Sequence, residues 1–402
     1  MIPQPFKGSF TQQEPISEQA IAKAVEVMHS GRLHRYNTEG ENASEVSMLE
    51  REFAAYQGKA YCLACASGGY AMQIALRAAG LQSDEPVLTN AFTMAPVPGA
   101  IIGAGGTPVF IEINHTLVPD LNDLTTKIEH SGARFLLLSL MRGHLPDMQA
   151  LMEIVEAHDL VLIEDCAHTM GASWDGLKSG NFGLAGCFST QTYKHLNSGE
   201  GGLLVSDDAE FISRAIMLSG SYMLYERHLA APDVSTFSDI RLDTPNCSGR
   251  MDNLRAAILR PQLENLSYNV QRWNRRYRAL EQILIKVDGI RLPTRPAKES
   301  FVGSSIQFLI PGISASAANA FLEANKALGV ELKWFGNDEP VAFTSKHSSW
   351  RYIEAQSLPR TDKILNTLFD MRIPLTFSLD DCRQIGEIIA YCANELLNKD
   401  AG

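Results

Sequence analysis

The stretch between Leu160 and Ser206 constrains this chain more than any other. It opens with Leu160-Val-Leu-Ile, a short apolar run that ends abruptly in two acids, Glu164 and Asp165. Such a run reads as a buried parallel strand with a carboxylate at its C-terminal tip, the place where ligand sites form in open α/β sheets. A second apolar run, from Ala185 to Ser189, leads to a lone lysine, Lys194, in a segment rich in Ser, Thr and Gly. An acid and a lysine at neighbouring strand tips suit pyridoxal phosphate (PLP): the amine forms a Schiff base and the Asp partners the pyridinium nitrogen. Taken singly, an Asp at a strand end is more often a helix cap and a lone Lys is more often solvated. The surrounding residues therefore have to carry the reading.

Those residues describe an alternating α/β chain. Helical periodicity runs over Ser17 to Ser30 and stops at Gly31, and a second amphipathic helix covers Glu45 to Tyr56 before Gly58. Strands are expected at Ala60–Ala66, Pro86–Thr89, Pro108–Ile113, Phe135–Leu140, Leu160–Glu164, Ala185–Thr190 and Gly202–Ser206, with helices between them. That makes a seven-stranded α/β sheet. The pair Asp175-Gly176 signals a tight hairpin just beyond Asp165. After the first strand comes Ser67-Gly68-Gly69-Tyr70 and then a helix. Small residues between a strand tip and a helix start leave backbone N–H groups free for a dianion, and the helix dipole favours it. Beyond an irregular region from Ser219 to Ser248, one long helix from about Asn253 to Leu284 is expected to bridge to a smaller α+β unit. That unit holds strands Ser305–Ile310 and Glu331–Phe335 and helices Ala315–Leu328 and Asp380–Leu397. The expected division is 1–255, a cofactor-binding domain with N-terminal helices, and 256–402, the bridging helix with the small domain.

Composition narrows the class. A formal charge of −11 argues against a face for nucleic acid or for an anionic membrane, and no apolar run approaches the length of a membrane span. Seven cysteines, without a signal-peptide core at the N-terminus, point to reduced thiols in the cytoplasm. Cys62 and Cys65 form a CxxC, yet they lie inside an expected buried strand with no second pair. Two small hydrophobes explain them better than a redox or metal motif, and no metal site is expected. The arginines Arg272, Arg275, Arg276 and Arg278 read as a solvated helix face.

Several ordered blocks carry a resemblance. Glu164-Asp-Cys-Ala-His-Thr-Met-Gly-Ala172, Gly180-Asn-Phe-Gly183, Cys187-Phe-Ser189 and Lys194-His-Leu-Asn-Ser-Gly-Glu-Gly-Gly202 resemble the active-site segment of the DegT/DnrJ/EryC1/StrS sugar aminotransferases. The likeness runs from about Ser30 to Arg372 and weakens after about residue 285. It implies the fold type I, aspartate-aminotransferase-like architecture of PLP transferases. It further implies that Lys194 carries the cofactor, that Asp165 faces the ring nitrogen, and that Ser67, Gly68, Gly69 and Ser189 hold the phosphate. Gly69 stands where the family usually has Thr. His168 takes the place of a more usual Gln beside the ring's phenolic oxygen. The ring's stacking partner is Met94 on register, or Phe92 two residues earlier. Lys194 keeps the lysine register five residues after Ser189, with His195 one place later. That register favours transamination over the related sugar dehydratases, which carry His in place of the lysine.

The resemblance also implies partners. The element Asn246-Cys-Ser-Gly-Arg250 is similar to one whose Asn reaches the phosphate of the other subunit, which implies a homodimer with shared sites; here it carries two extra residues. The donor implied is L-glutamate, sometimes glutamine, and the acceptor a keto- or aldehyde-sugar. The Ser198-Gly-Glu-Gly-Gly202 variant looks like relatives acting on sugars without a nucleotide, among them keto-inositols. One such acceptor is the 8-oxo octulosonate aminated to 8-amino-3,8-dideoxy-manno-octulosonate for lipopolysaccharide. A nucleotide-linked 3- or 4-ketosugar is the alternative, and a PLP-dependent dehydratase or isomerase, or a non-catalytic regulatory protein, the alternative classes. An acidic acceptor requires a local cation. Arg32, Arg35, Arg227, His228 and Lys333 are the candidates, although each singly suits a surface position and the loop Arg32–Asn37 reads equally as a solvated turn.

Overall fold

The computed structural model describes residues 2–40 and 42–400. All seven expected strands form one sheet. They are β1 (Tyr61–Cys65), β2 (Pro86–Asn90), β3 (Thr107–Ile111), β4 (Phe135–Ser139), β5 (Val161–Asp165), β8 (Ala185–Ser189) and β9 (Gly202–Ser206). The hairpin β6 (Ser173–Trp174) and β7 (Leu177–Lys178) lies between β5 and β8. Its turn residues Asp175 and Gly176 have φ of 50° and 84°, the left-handed pair that a two-residue hairpin requires.

The order across the sheet is β1-β9-β8-β5-β4-β2-β3, with β9 alone antiparallel to its neighbours. The C-terminal tips of the other six strands therefore share one edge. Buried residues alternate between two cores, as strand geometry demands. Cys62 and Ala64 face the helices Glu45–Gln57, Met148–Ala157 and Asn253–Glu264, while Leu63 and Cys65 face Gly68–Ala78 and Ala209–Ser219. Both cysteines of the CxxC are buried and free, as a structural role requires.

The expected bridging helix is two helices, Asn253–Glu264 and Leu266–Leu284, joined at Asn265. Pro261 lacks the N–H that would bond the Ala257 carbonyl in the first helix, and at the break the Asn265 side chain donates to the Pro261 carbonyl at 3.1 Å. The second helix packs Leu266 and Trp273 on the sheet core and Tyr277, Leu280 and Leu284 on a separate core. That second core is built on the sheet β11 (Ser305–Leu309), β13 (Leu368–Arg372) and β12 (Lys333–Trp334), together with Phe6 and Phe10 from the N-terminus. Two strands lie outside the sequence expectation, β13 and the short β10 (Glu299–Ser300), which pairs with β6. The helix arginines do more than face solvent. Arg272 pairs with Glu14, and Arg276 donates to the carbonyls of Phe377 and Leu375. No helix among the described residues is long and apolar enough to cross a membrane.

Candidate active site

Eight of the nine sequence-predicted catalytic and cofactor residues meet around one cavity of about 320 Å³ at the C-terminal edge of the large sheet. Asp165 ends β5, directly beside Ser139 at the end of β4. Its two oxygens are both engaged, accepting from Ala167 N–H and from Ser139 Oγ, each at 3.1 Å. Ser139 is in turn held by Asn90, whose side chain accepts from its N–H, and by Thr93 Oγ1, which donates to its Oγ at 2.7 Å. Burial raises the Asp165 pKa, and these donors with the nearby Lys194 ammonium oppose the rise. The adjacent acid, Glu164, points to the other face of the strand. It accepts three backbone N–H bonds, from Gly180, Phe182 and Gly183, and takes no part in the cavity.

Lys194 follows β8 and sends its Nζ to within 2.8 Å of His168 Nε2. Burial lowers its pKa to about 7; Asp165 opposes the fall, while Arg142, Arg372 and Lys333 add to it. His168 is driven well below its usual value, first by burial and then by the neighbouring cations, so its ring is neutral and its Nε2 is placed to accept from the lysine.

The third component is the start of the helix Gly68–Ala78. Ser67 caps it by accepting from Tyr70 N–H at 3.1 Å, and Gly68 and Gly69 leave the first turn bare toward the cavity. Gly68 admits no side chain, because a Cβ there would lie 2.8 Å from Ser189 Cβ and 3.3 Å from the Phe188 carbonyl. Ser189, at the tip of β8, lines the same wall. This cradle, a bare helix start plus a hydroxyl, has the donor set for a phosphate, and it opens into the space shared by Asp165 and Lys194. The residues present fit PLP.

Of the two stacking candidates, Met94 lines the cavity. Phe92 is buried, edge-on to Phe335 at 5.1 Å in a separate core. Asn246 lies outside the cavity of its own chain, exposed, with its carbonyl accepting from Ser248. His195 is buried against Trp273 and Ser304.

Among the cation candidates only Lys333 reaches the site. Arg35 is 1% exposed and makes two bonds of 2.9 and 2.8 Å to Glu50, with His228 bonded to Arg35, Tyr36 and Glu50. This cluster cements the N-terminal loop to the helix Glu45–Gln57 and is closed to any ligand. Arg32 pairs with Glu39 and Arg227 donates to the Tyr36 carbonyl, both away from the cavity. Sequence reasoning missed two cations that do line it, Arg142 and Arg372. A lone basic residue just past a strand tip was the available signal for Arg142.

The comparisons with known proteins agree with this geometry. Residues 15–390 match the DegT/DnrJ/EryC1/StrS aminotransferase family. The chain belongs to that family. Its members are PLP-dependent aminotransferases. The L-glutamine:2-deoxy-scyllo-inosose aminotransferase of Streptomyces lividus is 30% identical over 250 residues, 61% of this chain and 58% of that protein. A UDP-N-acetyl-3-dehydro-alpha-D-glucosamine 3-aminotransferase of Acidithiobacillus ferrooxidans is also 30% identical, over 62% of this chain and 64% of that one. The matched stretches thus span less than two thirds of either relative. In fold, the chain is similar to 3-amino-5-hydroxybenzoic acid synthase, with a TM-score of 0.82 at 23% identity over 96% of this chain and 99% of that one.

Proposed function

We propose that this protein is a PLP-dependent transaminase that moves an amino group from L-glutamate to the carbonyl of a keto- or aldehyde-sugar. The observation that carries this reading is the convergence of Lys194, Asp165 and the Ser67–Gly69 helix start on one cavity. When bound, PLP supplies the carbonyl that carries nitrogen between substrates and a ring that withdraws electrons from the reacting carbon. The chain supplies the rest. Ser67, Gly68, Gly69 and Ser189 would anchor the phosphate, and Met94 would cover one face of the ring. Asp165, oriented by its bonds from Ser139 and Ala167, would partner the ring nitrogen and favour its protonated form. The Lys194 amine takes a proton from the donor's α carbon and later delivers one to the carbon that receives nitrogen. A pKa near 7 keeps much of it neutral for that task. His168 holds the Lys194 amine in place through its 2.8 Å bond.

The active unit in this reading is a homodimer in the cytoplasm. Asn246, exposed and outside its own cavity, faces the phosphate site of the second subunit. The acceptor favoured is a sugar free of nucleotide, the acidic 8-oxo octulosonate first among those to try. The test is direct. PLP-loaded protein is mixed with L-glutamate while the cofactor's visible absorbance and 2-oxoglutarate are followed. The octulosonate, a keto-inositol and nucleotide-linked ketohexoses are then offered in turn. No 2-oxoglutarate with glutamate would refute the transaminase. Turnover of only a nucleotide-linked sugar would refute the acceptor preference alone.

A further inference from the structure

Three cations crowd one side of the cavity with a single acid to balance them. Arg142 sits just beyond β4, 7% exposed, in the left-handed conformation with φ of 56°. It donates to Asp370 Oδ2 at 2.6 Å, and Asp370, fully buried on β13, also accepts from Gln307 at 2.8 Å. Lys333 Nζ is shielded from solvent yet has no hydrogen-bond acceptor among the described residues; the Asp370 Oδ2 oxygen lies 3.7 Å away. The Arg372 guanidinium lies 3.6 Å from the centroid of the Tyr193 ring and donates to the Phe10 carbonyl in a long bond of 3.5 Å.

Counting charges, Arg142, Lys333 and Arg372 bring three and Asp370 removes one, so two positive charges stay uncompensated. Among the described residues, the carboxylates that line the cavity itself are Asp165, which serves Lys194, and the exposed Glu200. In a chain of net charge −11 this concentration is not a bystander of composition. Holding like charges in a partly desolvated wall costs stability, and an anion relieves that cost.

We propose that Lys333 and Arg372, backed by Arg142 and Asp370, form an anion-reading subsite for a carboxylate remote from the reacting carbon. Its first occupant is the side-chain carboxylate of the donor, which makes glutamate preferred to glutamine. Both half-reactions use one cavity, so the same subsite favours an acceptor bearing an acid group over a neutral sugar. This rests on the transaminase reading for its substrates, though not for its chemistry of recognition. Tyr193 holds the guanidinium by its face, and the planar fork of a guanidinium suits a bidentate grip on a carboxylate. Lys333 and Arg372 also line a second cavity of about 280 Å³ with Phe343 and Trp334, which gives the rest of a longer acceptor somewhere to go. Burial and the mutual repulsion of the three cations lower the pKa of Lys333 to about 8 and lower that of Arg372, the response of charges awaiting a counter-ion.

The experiment is calorimetric titration of the PLP-loaded protein with two unreactive ligands of one shape, glutarate and its monoamide. The wild type should bind the dicarboxylate about 10- to 100-fold more tightly, the range of one charge-assisted hydrogen-bonded pair. In Lys333→Gln and Arg372→Gln that preference should collapse while the cofactor absorbance stays unchanged, and Arg372→Lys should retain part of it. In parallel, the kcat/KM ratio of glutamate to glutamine should fall in the Gln variants through KM. Equal binding of the two ligands by the wild type overturns the proposal whatever the variants do, and so does an undiminished preference in both Gln variants. Because no turnover is needed, selective glutarate binding by a protein that aminates no sugar would sink the transaminase reading and leave the subsite standing.

Discussion

Replacing Lys194 by alanine and offering a small alkylamine in solution separates the two tasks assigned to that residue. The side chain lies inside the cavity, so its loss leaves space into which a free amine can diffuse. Lys194 titrates at about 7, so about half of it is neutral at pH 7; an amine near the aqueous lysine value of about 10.4 is neutral there to only about 4 parts in 10,000. The neutral fractions differ about a thousandfold, and that factor comes from burial and the neighbouring cations rather than from the amine itself. The sign follows from the chemistry, since only the unprotonated amine accepts a proton. Wild-type rates of the donor half-reaction should fall as pH drops below about 7 and level off above it. Lys194→Ala should lose at least about 10³-fold in rate at pH 7, and its rescue by added amine should keep climbing toward the amine's own pKa. The assay is a single turnover with L-glutamate, followed by cofactor absorbance from pH 6 to about 10. A rescued rate that levels off near pH 7, or unimpaired turnover without added amine, would refute the argument.

Asp165→Asn keeps the shape but cannot stabilise a proton on the ring nitrogen; PLP should still bind while kcat falls by about 10²–10³-fold, with the KM for glutamate little changed. Gly68→Ala pushes a methyl to 2.8 Å from Ser189 Cβ, so cofactor should be lost on dialysis from the variant and retained by the wild type. Mixing inactive Lys194→Ala with an impaired Asn246→Ala variant should restore activity, because one site of each heterodimer regains both groups; verified subunit exchange without recovery would refute the shared site. Glu50→Gln leaves Arg35 buried with half a partner and should destabilise the fold by about 3–5 kcal/mol in denaturant titration, without changing the selectivity for glutarate.

Some of this was legible in residue order and some was not, for physical reasons. Asp165, Ser189 and the Ser67–Gly69 turn sit where apolar runs meet small or polar residues. A strand that ends at a sheet edge has to leave that mark, because its buried part is apolar and its tip is not. Met94 could be chosen over Phe92 only by register; the structure separates them because Phe92 is taken up by Phe335, more than 240 residues away in the chain. The helix break at Asn265 departs from the single long helix expected; Pro261 disturbs the turn that precedes it, whereas the break lies four residues later.

The cations show where residue order stops informing. Arg35 and Arg372 look alike as letters, each an arginine beside polar or apolar neighbours. Arg35 is neutralised by Glu50, 15 residues on, and sealed in by His228, 193 residues on. Arg372 ends β13, a strand that follows the helix Pro359–Leu365 after only Asn366 and Thr367, so a single turn residue marked the change of element. Its neighbours in space come from Tyr193, Lys333 and Phe10. Whether a charge is cancelled or left free is a property of pairs brought together by the fold, and each pair here spans loops and sheets that local pattern cannot join. The consequence is testable in kind. Residues whose role is set by the strand tip they end, such as Asp165, should fail in kcat. Residues whose role is set by distant pairing, such as Lys333 and Arg372, should fail in the choice between an acid and an amide.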